Sequence, residues 1–165
     1  MKEIMNSNLK YHSIEKFTTE TGVVCDDLEL SYEVFGQELH TAPIVLVNHA
    51  LTGNSDVASV HSGWWKGVVS EGNLIDTQKY TILAFNIPGN GYDKKPGNLI
   101  ENYKDFTARD IAKLYGQALN ELQVSKLHAV IGGSLGGGLS WELAVLYPNL
   151  AEHLISIASD WKASD

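Results

Sequence analysis

Leu127-His128-Ala129-Val130-Ile131-Gly132-Gly133-Ser134-Leu135-Gly136-Gly137-Gly138-Leu139-Ser140-Trp141-Glu142-Leu143-Ala144 is the stretch that decides the fold. An apolar run leads into a glycine-rich turn, and a second apolar run of helical length leaves it. That order reads as strand, sharp turn, helix, with Ser134 at the turn inside a G-x-S-x-G pattern. Glycine two residues to either side lets strand and helix close on the serine, which itself must hold a strained backbone. A serine so placed stands at the carboxyl edge of a sheet, beside the free N–H groups of a helix amino end. Those groups favour the negative charge that forms when a carbonyl is attacked. A phosphate-binding turn is the competing reading, but no G-x-G-x-x-G register and no Gly-Lys-Ser/Thr is present.

Working outward, the elements alternate. Residues 14–19 and 28–35 read as antiparallel strands around Thr21-Gly22, and Ile44-Val45-Leu46-Val47 as a strand buried on both faces. Residues 80–87 form the next strand. Asp105 to Leu122 carries apolar residues at helical period, with Thr107 or Asp105 as the starting cap. The strand 126–131 and the helix 135–146 follow, Pro148-Asn149 marks a stop, and 154–158 is the last strand. Alternating strands and helices predict a mainly parallel α/β sheet with helices on its faces. Residues 1–13 read as a polar N-terminal arm, and 14–165 as the N-terminal part of one domain lacking its last strands and cap.

With 165 residues, 44% hydrophobic and 19% charged, the chain suits one globular domain. No apolar run nears the roughly 20 residues of a membrane span, and the start lacks a signal-peptide core, so a cytoplasmic protein is expected. The single Cys25 reads as a spectator thiol. A net charge of −8 argues against nucleic acid as a partner. Lys94-Lys95, the only adjacent lysine pair, reads as a solvated loop tip rather than a cationic patch for an anionic substrate.

A nucleophilic serine needs an oxyanion hole, a base and a group to orient the base. One donor is the backbone N–H of Leu135. The second is assigned to the N–H of Leu51, in the loop Asn48-His49-Ala50-Leu51-Thr52-Gly53-Asn54 that leaves the third strand. His49 precedes the serine in this loop and is expected to order it by hydrogen bonding rather than to act as the base.

Residues 48–55, Gly63-Trp64-Trp65, Ile75-Asp76-Thr77-Gln78-Lys79-Tyr80, Asn86-Ile87-Pro88-Gly89-Asn90-Gly91-Tyr92, Phe106-Thr107-Ala108-Arg109-Asp110 and the serine turn occur in that order. Together they resemble the N-terminal half of the homoserine O-acetyltransferase family, a branch of the α/β-hydrolase superfamily. The resemblance implies acetyl transfer from the co-substrate acetyl-CoA to homoserine through an acetyl-Ser134, in methionine biosynthesis, with no bound cofactor and no metal. It also implies small-molecule substrates, an acyl-CoA and homoserine, with no nucleic acid or membrane partner.

The superfamily order is serine, then acid, then histidine. After Ser134 the only histidine is His153, expected at the wrong end of the sheet, and the only aspartates are Asp160, which follows the last strand, and the terminal Asp165. The base and acid are therefore expected beyond Asp165, and the chain is expected to be an inactive fragment. The alternatives are an esterase or a homoserine O-succinyltransferase, and a non-catalytic half-domain that pairs its sheet edge with a partner. An open edge at 154–158 also predicts self-association.

Overall fold

The computed structural model describes residues 8–161. Six strands form one sheet: β1 (Lys10–Thr18), β2 (Val24–Gly36), β3 (Ile44–Asn48), β4 (Thr81–Phe85), β5 (Leu127–Gly133) and β6 (Ala151–Ile157), in the order β1-β2-β4-β3-β5-β6. β1 pairs with β2 and β2 with β4 antiparallel, while β3 pairs with both β4 and β5, and β5 with β6, in parallel. Helices α1 (Ala108–Glu121) and α2 (Leu135–Leu146) pack on one face. The α/β architecture expected from the sequence is what the chain adopts.

The centre of the sheet is set by composition. Every residue of β3 and β4 is buried, as continuous apolar runs require of strands covered on both faces. α1 is amphipathic: Ile111, Leu114, Tyr115, Ala118 and Leu119 face the core. Its start is fixed by a capping box, in which the Thr107 side chain accepts from the Asp110 N–H and the Asp110 carboxylate accepts from the Thr107 N–H. That places the first helical residue at Ala108 rather than Asp105, which lies in a separate single turn, Tyr103–Asp105. Among the described residues the other face of the sheet is covered by loop segments. Val57, Val69 and Ile75, from the long β3–β4 connection, pack against Val45, Val47, Ile82, Ala84, Ala129 and Ile131.

Several boundaries differ from expectation: β2 begins at Val24 rather than residue 28 and β5 runs on to Gly133, and the starts of β1 and β6 shift because pairing outweighs local composition. β1 begins at Lys10, inside the expected polar arm, because Lys10, Tyr11, His12 and Ser13 have partners at Tyr32, Ser31, Leu30 and Glu29. The rest of that arm, residues 1–7, lies outside the described residues. β6 begins at Ala151 and ends at Ile157, since its parallel ladder with β5 recruits the polar Glu152 and His153. Ala158 turns to φ 49° and leaves the strand. β4 stops at Phe85, which releases Asn86 and Ile87 into the connection that follows. Among the described residues no helix is long and apolar enough to cross a membrane.

Candidate active site

Ser134 joins the carboxyl end of β5 to the first residue of α2 and holds φ 53°, ψ −123°. A non-glycine residue in that region stores on the order of 1–3 kcal/mol and persists only where its surroundings fix it. The fixing contacts are present. The Ser134 N–H donates to the Ile157 carbonyl at 3.0 Å, and the Ser134 carbonyl accepts from Gly137 and Gly138 at 2.9 and 3.1 Å. The serine is exposed, and its hydroxyl caps nothing.

The glycines around it are unequal. A Cβ on Gly132 would overlap the Gly136 carbonyl, one on Gly136 would overlap the Asn48 carbonyl, and one on Gly137 would meet Ser159 and Ser156. Gly133 and Gly138 have open space at ordinary contact distance or beyond. The two positions that the turn chemistry demands are thus the ones where backbone meets backbone. The Gly136 contact also brings the loop after β3 onto the start of α2.

That loop is internally braced. His49 is 1% exposed. Its Nδ1–H donates to the Ala50 carbonyl at 2.7 Å, and its Nε2 accepts from the Ile87 N–H at 3.1 Å. Both ring nitrogens are committed in one neutral tautomer, and burial holds the imidazole below its ordinary pKa. The loop-ordering role expected of His49 matches this geometry, and a base role does not. The Ala50 carbonyl also accepts from the Gly53 N–H at 2.8 Å, which closes a turn around Leu51 and Thr52. With the Ala50 carbonyl aimed at the His49 ring, the N–H of Leu51, across the same trans peptide, points the opposite way. Among the described residues neither the Leu51 nor the Leu135 N–H donates to a protein acceptor.

Beneath the loop lies a polar network that composition did not reveal. Asn86 is 2% exposed. Its Oδ1 accepts from the N–H of Ser55 and from Asn90, and its Nδ2 donates to Ser31 and Ser55 Oγ. Ser55 Oγ donates to Glu33 Oε2 at 2.6 Å. Burial raises the Glu33 pKa; the Ser55 hydrogen bond opposes it, and the nearby Asp56 charge adds to it. The available signal was Ser31 and Glu33 alternating on the partly apolar β2, which marks a polar stripe facing inward. Trp64 and Trp65 stack at 5.1 Å, and the Trp64 Nε1–H donates to the Asn54 carbonyl, so this pair braces the loop from outside.

The remaining candidates stand apart. His153 pairs in register with Ala129, four residues before the Gly133–Ile157 pair beside Ser134, about 13 Å along the strands. Asp160 is exposed and accepts from the Trp161 N–H; Asp165 lies outside the described residues. Lys95 is no free cation, because its Nζ contacts Glu29 at 2.7 Å and lies 3.5 Å over the Tyr11 ring. Cys25 has its thiol pushed up, first by burial and then by Asp105, Asp26 and Asp110, which suits an inert thiol.

A strained serine at a strand-to-helix turn, with the loop after β3 laid across the helix start, is the arrangement of one superfamily, and residues 43–164 match the family described as alpha/beta hydrolase fold. The chain belongs to the α/β-hydrolase fold family. Among its relatives are the homoserine O-acetyltransferases of Corynebacterium diphtheriae, 33% identical with 94% of this chain and 43% of the relative covered, and of Haloferax volcanii, 34% identical with 85% and 38% covered. Solved structures include the homoserine O-acetyltransferase of Staphylococcus aureus (TM-score 0.81, 30% identity, 96% of this chain and 49% of that one). Esterase E22 is also similar (TM-score 0.78, 25% identity, 92% and 47%). The chain therefore spans less than half the length of these α/β-hydrolase relatives.

Proposed function

We propose that this chain carries the nucleophile and oxyanion donors of a serine acyltransferase of the homoserine O-acetyltransferase kind. Ser134 attacks the thioester carbonyl of acetyl-CoA, the N–H groups of Leu51 and Leu135 stabilise the oxyanion, CoA thiol leaves, and homoserine takes the acetyl group from the serine ester. The observation that carries this reading is the exposed, strained Ser134 with the β3 loop packed on the backbone of Gly136. No metal or bound cofactor enters the scheme, the partners are small molecules, and the place of action is the cytoplasm.

All six histidines of the sequence fall among the described residues. His12 and His128 bond to Glu121 and Glu152, and His49 is fully committed. Neither His49, with both ring nitrogens committed, nor His153, at the far end of β6, is placed to take the Ser134 proton in the superfamily manner. On this reading the base and its orienting acid are not supplied by these two histidines, and the chain alone is expected to be inactive. β6 is an edge strand with Ile155 and Ile157 each 43% exposed, so the isolated chain self-associates or pairs that edge.

The test follows intact mass with acetyl-CoA for the longer polypeptide that this reading requires. An acetyl adduct is expected, and Ser134→Ala should abolish it; an adduct that survives places the nucleophile elsewhere. Donor identity follows from acetyl-CoA against succinyl-CoA, and release of free acetate in the presence of homoserine identifies an esterase instead. For the chain alone, thiol release near about 1 per second would overturn the inactive-fragment reading.

A further inference from the structure

We infer that His128, Glu152 and His153 form a surface site for a late divalent transition metal such as Zn2+, remote from Ser134, which staples β6 to β5. The ligand atoms these side chains offer all lie within 4.8 Å of one another. His128 Nδ1 and Glu152 Oε2 are already 3.1 Å apart. Metal–nitrogen and metal–oxygen bonds of about 2.0–2.2 Å in a tetrahedron put neighbouring ligand atoms about 3.4 Å apart, so one pair is at binding distance and His153 needs to close by no more than about 1.4 Å. His153 is exposed and free to turn, since its ring meets that of His128 only edge-on at 5.1 Å and 83°. His128 is the better held, being stacked on Tyr80 at 5.3 Å and 12°, which fixes its plane as a supporting contact does in metal sites.

The donor set selects the ion. Two imidazoles and one carboxylate suit zinc, cobalt or nickel rather than magnesium or calcium, and leave one position for water. The consequence follows from strand order. The ligands come from adjacent strands in register, His128 opposite Glu152, and β6 is held on one side only. A bound ion therefore opposes the opening of β6 and leaves Ser134, about 16 Å along β5, untouched.

The test uses the 165-residue chain with Zn2+ and Co2+ alone. We expect one equivalent to bind, Co2+ to show the visible bands of a tetrahedral N/O site, and amide exchange across β6 to slow while exchange in α1 is unchanged. His153→Gln and His128→Gln should each weaken Zn2+ binding at least about tenfold. Glu152→Gln, which keeps shape and hydrogen bonding at an exposed position, should do the same without loss of fold. His61→Gln, which removes an exposed histidine elsewhere, should leave affinity unchanged. Absence of binding, binding indifferent to the Glu152 and His153 substitutions, or an octahedral Co2+ spectrum overturns the site.

Discussion

The two flanks of Ser134 are built to different standards. Toward β3 and β4, His49 is buried and held by Ala50 and Ile87, and the buried Ser55, Asn86 and Glu33 are linked to one another by hydrogen bonds. Toward β6, Ile155 and Ile157 are half in water and Trp161 is 78% exposed. The contrast teaches that the flank carrying the proposed oxyanion donors is ordered by folding itself, whereas the β6 flank is the more exposed of the two among the described residues.

Gly136→Ala strikes the ordered flank hardest. Its Cβ would overlap the Asn48 carbonyl, and neither backbone can retreat, so a loss of about 3 kcal/mol or more is expected in urea unfolding. A stable Gly136→Ala chain would break the comparison, because the loop would not then be clamped to the elbow. Next, Asn86→Ala strands Ser55 and Ser31 in the interior and should cost about 1–3 kcal/mol.

Protonation sharpens the contrast within the ordered flank. Glu33 has a raised pKa in the fold, so its contribution is complete below the unfolded value of about 4.3 and is lost as pH rises through the raised one. His49 has a lowered pKa, so its contribution is complete above about 6.5 and is lost as pH falls toward the lowered value. Glu33→Gln should thus stabilise the chain at neutral pH relative to acid, and His49→Phe should flatten the acid limb. Unfolding midpoints across pH check both; unchanged profiles would mean neither group is buried as described. The smallest effect is expected at Gly138. A methyl there meets open space in a helix interior, so Gly138→Ala should gain about 0.5–1 kcal/mol, read as a rise in thermal midpoint.

The serine turn was legible because its glycines answer a steric demand that composition displays directly. The buried strands were legible for the same kind of reason, as four- and five-residue apolar runs have few other fates. The polar half of the site was not. Ser55 and Asn86 sit in loops, and what makes them structural is a meeting 31 residues apart that no local pattern encodes. The early start of β1 and of β6 escaped for a related reason: Lys10 and Glu152 are ordinary surface residues locally, and only a partner strand makes them extended. For His49 a loop-ordering role was legible but not its geometry, since its second hydrogen bond, accepted by Nε2 from the Ile87 N–H, comes from another segment.

The direct backbone contact between Gly136 and residues 48–49 has a mechanical consequence. Two N–H groups that act on one oxygen matter only through their separation, not through where either sits in space. With no side chain interposed, a thermal shift of the elbow carries the loop with it, and the displacement is common to both donors. Noise in position then largely cancels in the one dimension that acyl chemistry reads, so the oxyanion hole proposed at Leu51 and Leu135 would be steadier than either of the segments that compose it.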